Sequence, residues 1–285
     1  PLRRQRQMCI RDRMRSHHLN IIDLARLDRK NLTPGVMNKQ SAFAAQCYVE
    51  RATLDAIDGV VSGVVTMPMN KEATQMSDPS FIGHTEYIAQ LCGTNTFSMM
   101  LTNKDIAVAH VSTHVSLIDA IGLVTIERVS SVIELTNRTL SRFISNPRIA
   151  VCGLNPHAGE NCLFGDEDSK VISPAIELMR DKGIDVSGPF PADTIFYQAI
   201  HKDQYDAIVC MYHDQALIPM KTLDFDNGVN VSAGLPFVRT SPDHGTAYDI
   251  AGSATANPSS LVSAIKMAAE IAEFRQSAVS SADIV

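Results

Sequence analysis

No apolar run in this chain approaches the roughly 20 residues needed to cross a bilayer, and no charged segment followed by an apolar stretch marks a secretory signal. The expected location is therefore the cytoplasm, with no membrane partner. The six cysteines, Cys9, Cys47, Cys92, Cys152, Cys162 and Cys210, are scattered without a CxxC pair. That spacing indicates neither a disulfide framework nor a cysteine zinc knuckle, and in apolar runs cysteine serves as a small hydrophobe. The GxGxxG fingerprint is missing, so a standard Rossmann dinucleotide site is not visible. Net positive charge is missing too: 25 basic against 31 acidic residues leave −6, which argues against nucleic acid as a partner. Local Lys and Arg still leave room for an anionic small substrate. There is no internal repeat, low-complexity tract or Gly/Ser linker, so any second domain must be interleaved rather than strung on.

The 285 residues, 45% hydrophobic, suffice for one large α/β domain or two smaller ones around a cleft. Residues 1–13, PLRRQRQMCIRDR, share no periodicity with the rest of the chain and read as a foreign, non-native basic tail. Without them 20 basic residues face 30 acidic, so the body is the more acidic part. Helical spacing of Phe43, Ala44, Cys47, Tyr48 and Ala52 predicts a helix over 41–56, and a strand comes next in DGVVSGVVTMP. The loop PMNKEA then carries Asn70 and Lys71. GHTEYIAQLCG opens a helix with Thr85 as its expected N-cap and Gly93 after its end. Two strands, FSMMLT and DIAVAHVS, precede a long helix expected from Ser116 to Leu140. The second half alternates strands RIAVCGL, IDVSGPF and YDAIVCMY with helices SKVISPAIELMRDKG and ADTIFYQAIHKD, and a last helix runs through SSLVSAIKMAAEIAEF. Such alternation predicts a largely parallel sheet flanked by helices.

Three strand-like runs end in a loop carrying histidine: AVAHVSTH to His114, RIAVCGLNPH to His157 and DAIVCMYH to His213. Parallel strands present their carboxyl ends to a common crevice, so imidazoles there can converge from distant positions. Three neutral imidazoles leave coordination positions open, which suits a catalytic divalent metal. The bland alternative is three polar loop histidines without metal. Lys221, Asn230 and Arg239, in the segment after His213, suit a phosphate or carboxylate beside such a crevice; ordinary surface charge is the alternative. His84 and Thr85 at a helix start either bind an anion or cap the helix.

HGTAYDIAGSATANP, residues 244–258, resembles the loop of isopropylmalate and isocitrate dehydrogenases that holds the adenosine end of the nicotinamide cofactor. GHTEY at 83–87, STH at 112–114, GLNPHAGE at 153–160, GPFPADT at 188–194, MYHDQ at 211–215, GVNV at 228–231 and GLPFVRTSPDHGTA at 234–247 resemble the 4-hydroxythreonine-4-phosphate dehydrogenase family of vitamin B6 synthesis. The resemblance covers roughly residues 30–280.

It implies an α/β fold like that of isocitrate and isopropylmalate dehydrogenase, with two interleaved α/β subdomains around a cleft. Residues 14–80 with 235–285 would form the cofactor side, and 81–234 the central metal and dimer region. It implies a homodimer with the active site at the interface, His114, His157 and His213 as metal ligands with the last reaching across from the partner, and His84, Thr85, Lys221, Asn230 and Arg239 on substrate. Asp249 and Asn257 match adenosine-binding positions, and Asp249 would favour NAD over NADP by repelling a 2′-phosphate. The implied reaction is oxidation of the C3 hydroxyl of 4-phosphooxy-L-threonine by NAD(P)+ with one divalent metal, Zn, Mg, Mn or Co, followed by loss of CO2. Close alternatives are dehydrogenation of D-threonate or D-erythronate 4-phosphate; more remote ones are a metal-dependent phosphate hydrolase and an inactive fragment. Asp193, in PADT, is a candidate partner for a substrate amine or a helix N-cap. The family's usual first strand and GDPAGIGPE segment are absent, so the resemblance implies a chain shortened at its N-terminus.

Overall fold

A computed structural model of the chain describes residues 3–5 and 19–282. Of the basic segment 1–13, only Arg3–Gln5 falls among them. These residues form strand β1 (Arg3–Gln5), paired in parallel with β2 (Asn20–Ile22). The expectation of a foreign tail otherwise lies outside the described residues.

The first half runs α1 (Lys39–Ile57), β3 (Gly63–Val65), α2 (Lys71–Gln75), α3 (His84–Leu91), β4 (Ser98–Thr102), β5 (Ala107–His110), α4 (Leu117–Gly122) and α5 (Ile126–Leu140). The second runs β6 (Ile149–Cys152), α6 (Ser173–Asp181), β7 (Val186–Phe190), α7 (Ala192–Lys202), β8 (Ala207–Cys210), α8 (His213–Leu223), β9 (Val229–Ala233), β10 (Val238–Pro242) and α9 (Ser259–Ala282). Eight strands form one sheet in the order β3-β10-β9-β4-β5-β8-β6-β7.

The sheet is mixed rather than largely parallel. The pairs β3–β10, β5–β8, β8–β6 and β6–β7 are parallel as expected, but β10–β9, β9–β4 and β4–β5 are antiparallel. The reason is loop length: residues 103–106 and 234–237 are too few for a crossover, so each joins a hairpin. Asn103 closes the first by accepting from the backbone N–H of Asp105 and Ile106.

The central strands IAVC and AIVC are buried on both faces, which is why they read as unbroken apolar runs. On one face Val151, Val209, Ala109 and Met100 pack under Val129, Ile133, Ile176 and Met179 of α5 and α6. On the other, Ala150, Ile208, Val108 and Leu101 pack under Ile195, Ala216, Leu217 and Met220 of α7 and α8.

The helix expected from Ser116 to Leu140 is two. Thr125 takes an extended conformation and its hydroxyl accepts from Arg128 N, so a new helix starts there, as Ser116 starts the one before. The strand expected over 58–68 shrinks to Gly63–Val65, and the loop expected at 68–73 becomes α2, capped by Asn70. Thr85 does not cap α3; Gly83 does, without a side-chain bond, leaving the Thr85 hydroxyl for another use. Among the described residues no helix is long and apolar enough to cross a membrane.

Candidate active site

The exits of three strands are laced together. Val111 N and Ser112 N donate to the carbonyls of Cys210 and Met211, and the Ser112 hydroxyl donates to Met211 as well. Gln215 completes the lacing: its carbonyl accepts from Met211 N at 2.7 Å and its amide donates to Gly153 O at 2.8 Å. The β5 and β8 exits therefore run side by side, and His114 faces His213 with ring centroids 5.5 Å apart. His213 Nδ1 bonds Asp214 Oδ1 at 2.6 Å, an arrangement that orients the ring and leaves Nε2 free. Burial lowers the His114 pKa, with Lys71 and His213 adding to the effect; a neutral imidazole is what a metal ligand requires.

His157 stands apart. It is exposed, its nearest ring neighbour is Phe164 at 6.3 Å between centroids, and no three metal-binding side chains gather among the described residues. One chain thus supplies two converging imidazoles, a donor set that fits a divalent cation with positions left open. His213 meets His114 within one chain. The backbone around His157 is unusual: every residue from His157 to Cys162 has φ between 42° and 81°, a left-handed run that costs non-glycine residues about 1–2 kcal/mol each.

His114 also lines a small polar pocket of about 160 Å³ with Lys71, His84, Thr85, Arg128, Asn230 and Arg239. Arg239, on β10, is only 5% exposed. Its guanidinium donates to Thr66 Oγ1 at 2.7 Å, Ser232 Oγ at 3.0 Å and Thr85 Oγ1 at 3.3 Å, while its Nε has no partner among the described residues. Burial lowers its pKa to about 10, opposed by the charge of Glu86. A buried cation bonded to hydroxyls rather than paired with a carboxylate leaves the pocket receptive to an anion. His84 is pushed down to about 4 by burial and then by the charges of Arg239 and Lys71; it faces the pocket as a neutral ring. Asn230 reaches Lys221 indirectly, since both bond Asp243.

A larger cavity of about 620 Å³ lies between Ser41, Ala42 and Ala45 of α1, the Met67–Asn70 loop and the segment from His244 to Ala256. Its size is that of a cofactor site, and its wall includes the segment expected to hold a nicotinamide dinucleotide. Within that segment the structure places Tyr248, Ile250 and Ala251 in the wall. Asp249 is exposed beside them, and Asn257 bonds Asp226 and accepts the Ser259 N–H at the start of α9. Asp193 lies in the first turn of α7, whose N-cap is Pro191, and faces a groove shared with Asp214.

The family model described as pyridoxal phosphate biosynthetic protein PdxA matches residues 3–268. The chain belongs to the PdxA family. PdxA-family relatives include a D-threonate 4-phosphate dehydrogenase of Pectobacterium atrosepticum, 46% identical over 89% of this chain and 78% of the relative. A 4-hydroxythreonine-4-phosphate dehydrogenase of Geobacter metallireducens is 45% identical over 90% and 75%. The crystal structure of a 4-hydroxythreonine-4-phosphate dehydrogenase from Klebsiella pneumoniae superimposes with a TM-score of 0.82 at 44% identity, covering 90% of this chain and 78% of the other. The α/β fold expected from the sequence is therefore the PdxA fold, and the protein is a dehydrogenase of that family, which implies a nicotinamide cofactor.

Two residues of the anion pocket, Arg128 and Lys71, and one that bonds its Asn230, Asp243, carry little signal in the sequence. Arg128 donates to the carbonyls of Val111 and Phe97 and lines the anion pocket, yet in sequence it is one polar position of an amphipathic helix. Lys71 reads there only as a loop residue. Asp243 gives no signal, because an acidic residue is not sought in an anion site.

Proposed function

We propose that this chain oxidises the C3 hydroxyl of 4-phosphooxy-L-threonine with NAD(P)+, assisted by one divalent metal. The product, 2-amino-3-oxo-4-phosphooxybutanoate, is a β-keto acid that loses CO2 to give 3-amino-2-oxopropyl phosphate, a step of pyridoxal phosphate synthesis. The observation that carries the reading is that His114 belongs both to the imidazole pair and to the wall of the cationic pocket. A substrate a few atoms long, with a phosphate on C4 and the hydroxyl to be oxidised on the neighbouring C3, spans that arrangement.

In this reading Arg239, Thr85 and neutral His84 grip the phosphate, with Arg128 and Lys71 adding charge and Asn230 and Lys221 holding the remaining polar groups. Fixing the phosphate orients the carbinol carbon toward the larger cavity, where Asp249 and Asn257 flank the cofactor's adenosine end. His114 and His213 hold the metal, whose chemistry when bound is to lower the pKa of the coordinated hydroxyl. The third imidazole in this reading is His157 of the partner subunit in a homodimer. Support for a second copy comes from exposed apolar side chains beside the ligands: Leu117 and Ile118 next to His114, and Leu163 and Phe164 next to His157.

A second reading, D-threonate 4-phosphate as substrate, is favoured by the Pectobacterium relative's name. The two substrates differ at C2, amine against hydroxyl, and Asp193 is the candidate partner for the amine. The deciding experiment monitors absorbance at 340 nm with NAD+ or NADP+, a divalent metal and each substrate in parallel. A signal with the amino acid phosphate that EDTA abolishes supports the first reading, and a signal with threonate phosphate alone supports the second. Silence with both from folded protein defeats both.

A further inference from the structure

The left-handed run that carries His157 needs something to hold it, and the structure contains a buried group aimed at its base. Asp168, 2% exposed, opens a π-helical turn over Asp168–Ile172 that leads into α6. Its Oδ1 accepts from Leu154 N at 2.8 Å. Its Oδ2 accepts from Asn155 N at 3.2 Å and from the Asn155 side-chain amide at 3.0 Å. The same amide also donates to Glu167 Oε2 at 2.7 Å. One carboxylate thus gathers three donors from the two residues that precede Pro156 and His157. Gly153, whose carbonyl is held by Gln215, lies so close that a Cβ there would meet Asp168 Oδ1 at 2.7 Å and Ala158 Cα at 2.8 Å.

We infer that Asp168 is a positioning residue: it clamps the β6 exit so that the loop stays left-handed and presents His157 as a donor, and thereby sets the divalent-cation affinity of the site. The inference rests on the proposed metal-dependent function. A carboxylate is required because all three partners donate. An isosteric amide would set an N–H against an N–H on one side and leave either Leu154 or the Asn155 pair unsatisfied. Loss of such an outer support lowers metal affinity by 10- to 100-fold where ligands depend on it.

The test compares the unsubstituted chain with Asp168→Asn, titrating apo protein with Co2+ and monitoring its visible absorption band. Thermal midpoints are measured in EDTA. The expected result is a Co2+ dissociation constant raised at least tenfold in Asp168→Asn, with turnover largely recovered at saturating metal. A wild-type dissociation constant in a folded variant would overturn the inference, as would a lowered EDTA midpoint with unchanged cation affinity. If Asp168→Asn does not fold, Asn155→Ala decides, since it removes one of the three donors and leaves both backbone bonds; unchanged affinity there overturns the clamp. Failure of the wild type itself to bind Co2+ defeats the metal-dependent function instead, so the two failures are distinguishable.

Discussion

Lys221 Nζ lies 3.0 Å from Asp243 Oδ2, and the other oxygen of that carboxylate accepts from the Asn230 side chain at 3.0 Å. Two residues expected to contact substrate are thus held by a third of opposite charge to the pocket. Asp243→Asn keeps an acceptor for Asn230 and removes the charge that neutralises Lys221. The Michaelis constant for the phosphorylated substrate should fall about threefold at low salt, the size of a partly exposed ion pair. The difference should shrink as added salt screens it; an increase in the constant would contradict the assignment.

His84 and His110 both carry pKa values pushed down to about 4, chiefly by burial; for His84 the charges of Arg239 and Lys71 add to it. Between pH 6.5 and 4 the unfolded chain takes up protons that the folded chain refuses, so stability is full above about 6.5 and is lost as pH falls toward 4. Each ring contributes on the order of 3 kcal/mol to that loss. Denaturant midpoints measured in EDTA across this range should decline steeply, and less steeply in His84→Gln.

Arg239→Lys keeps the charge and loses the planar fork that bonds Thr66, Ser232 and Thr85 together. Leaving buried hydroxyls without their donor costs roughly 1–3 kcal/mol, so kcat/KM should drop about 10- to 100-fold. The thermal midpoint should fall with it. Unchanged kinetics in a correctly folded variant would remove Arg239 from the anion site.

Ala45 sits on α1 in the wall of the larger cavity, away from the cationic pocket. Ala45→Leu should raise the Michaelis constant of the nicotinamide cofactor by about tenfold, the scale of 1.4 kcal/mol, while leaving that of the phosphorylated substrate unchanged. Equal effects on both would mean that the cavity is not the cofactor site.

Much of this architecture is legible in the residue pattern, for physical reasons particular to each part. Strands such as IAVC and AIVC, buried on both faces, leave unbroken apolar runs, and a loop after such a run places His114 and His213 at strand ends. The hairpins that make the sheet mixed leave no such mark, since a four-residue turn and a helical crossover both appear as polar interruptions. The break at Thr125 is hidden because α4 and α5 keep nearly one apolar rhythm across it. Arg128 and Asp243 are invisible for a different reason: their roles depend on carbonyls and cations brought to them from distant segments.

The parallel pairing of Val64 with Arg239 joins the first strand of the large sheet to the last. β3 has β10 as its neighbour in the sheet, so throughout synthesis it waits as an unpaired edge until about 170 further residues have been made. During that wait Thr66 has no guanidinium to receive, and the anion pocket has no floor. Binding competence is therefore the final event of assembly, and a nascent chain ending before β10 could complete much of its core yet still expose β3 to pairing with a stranger.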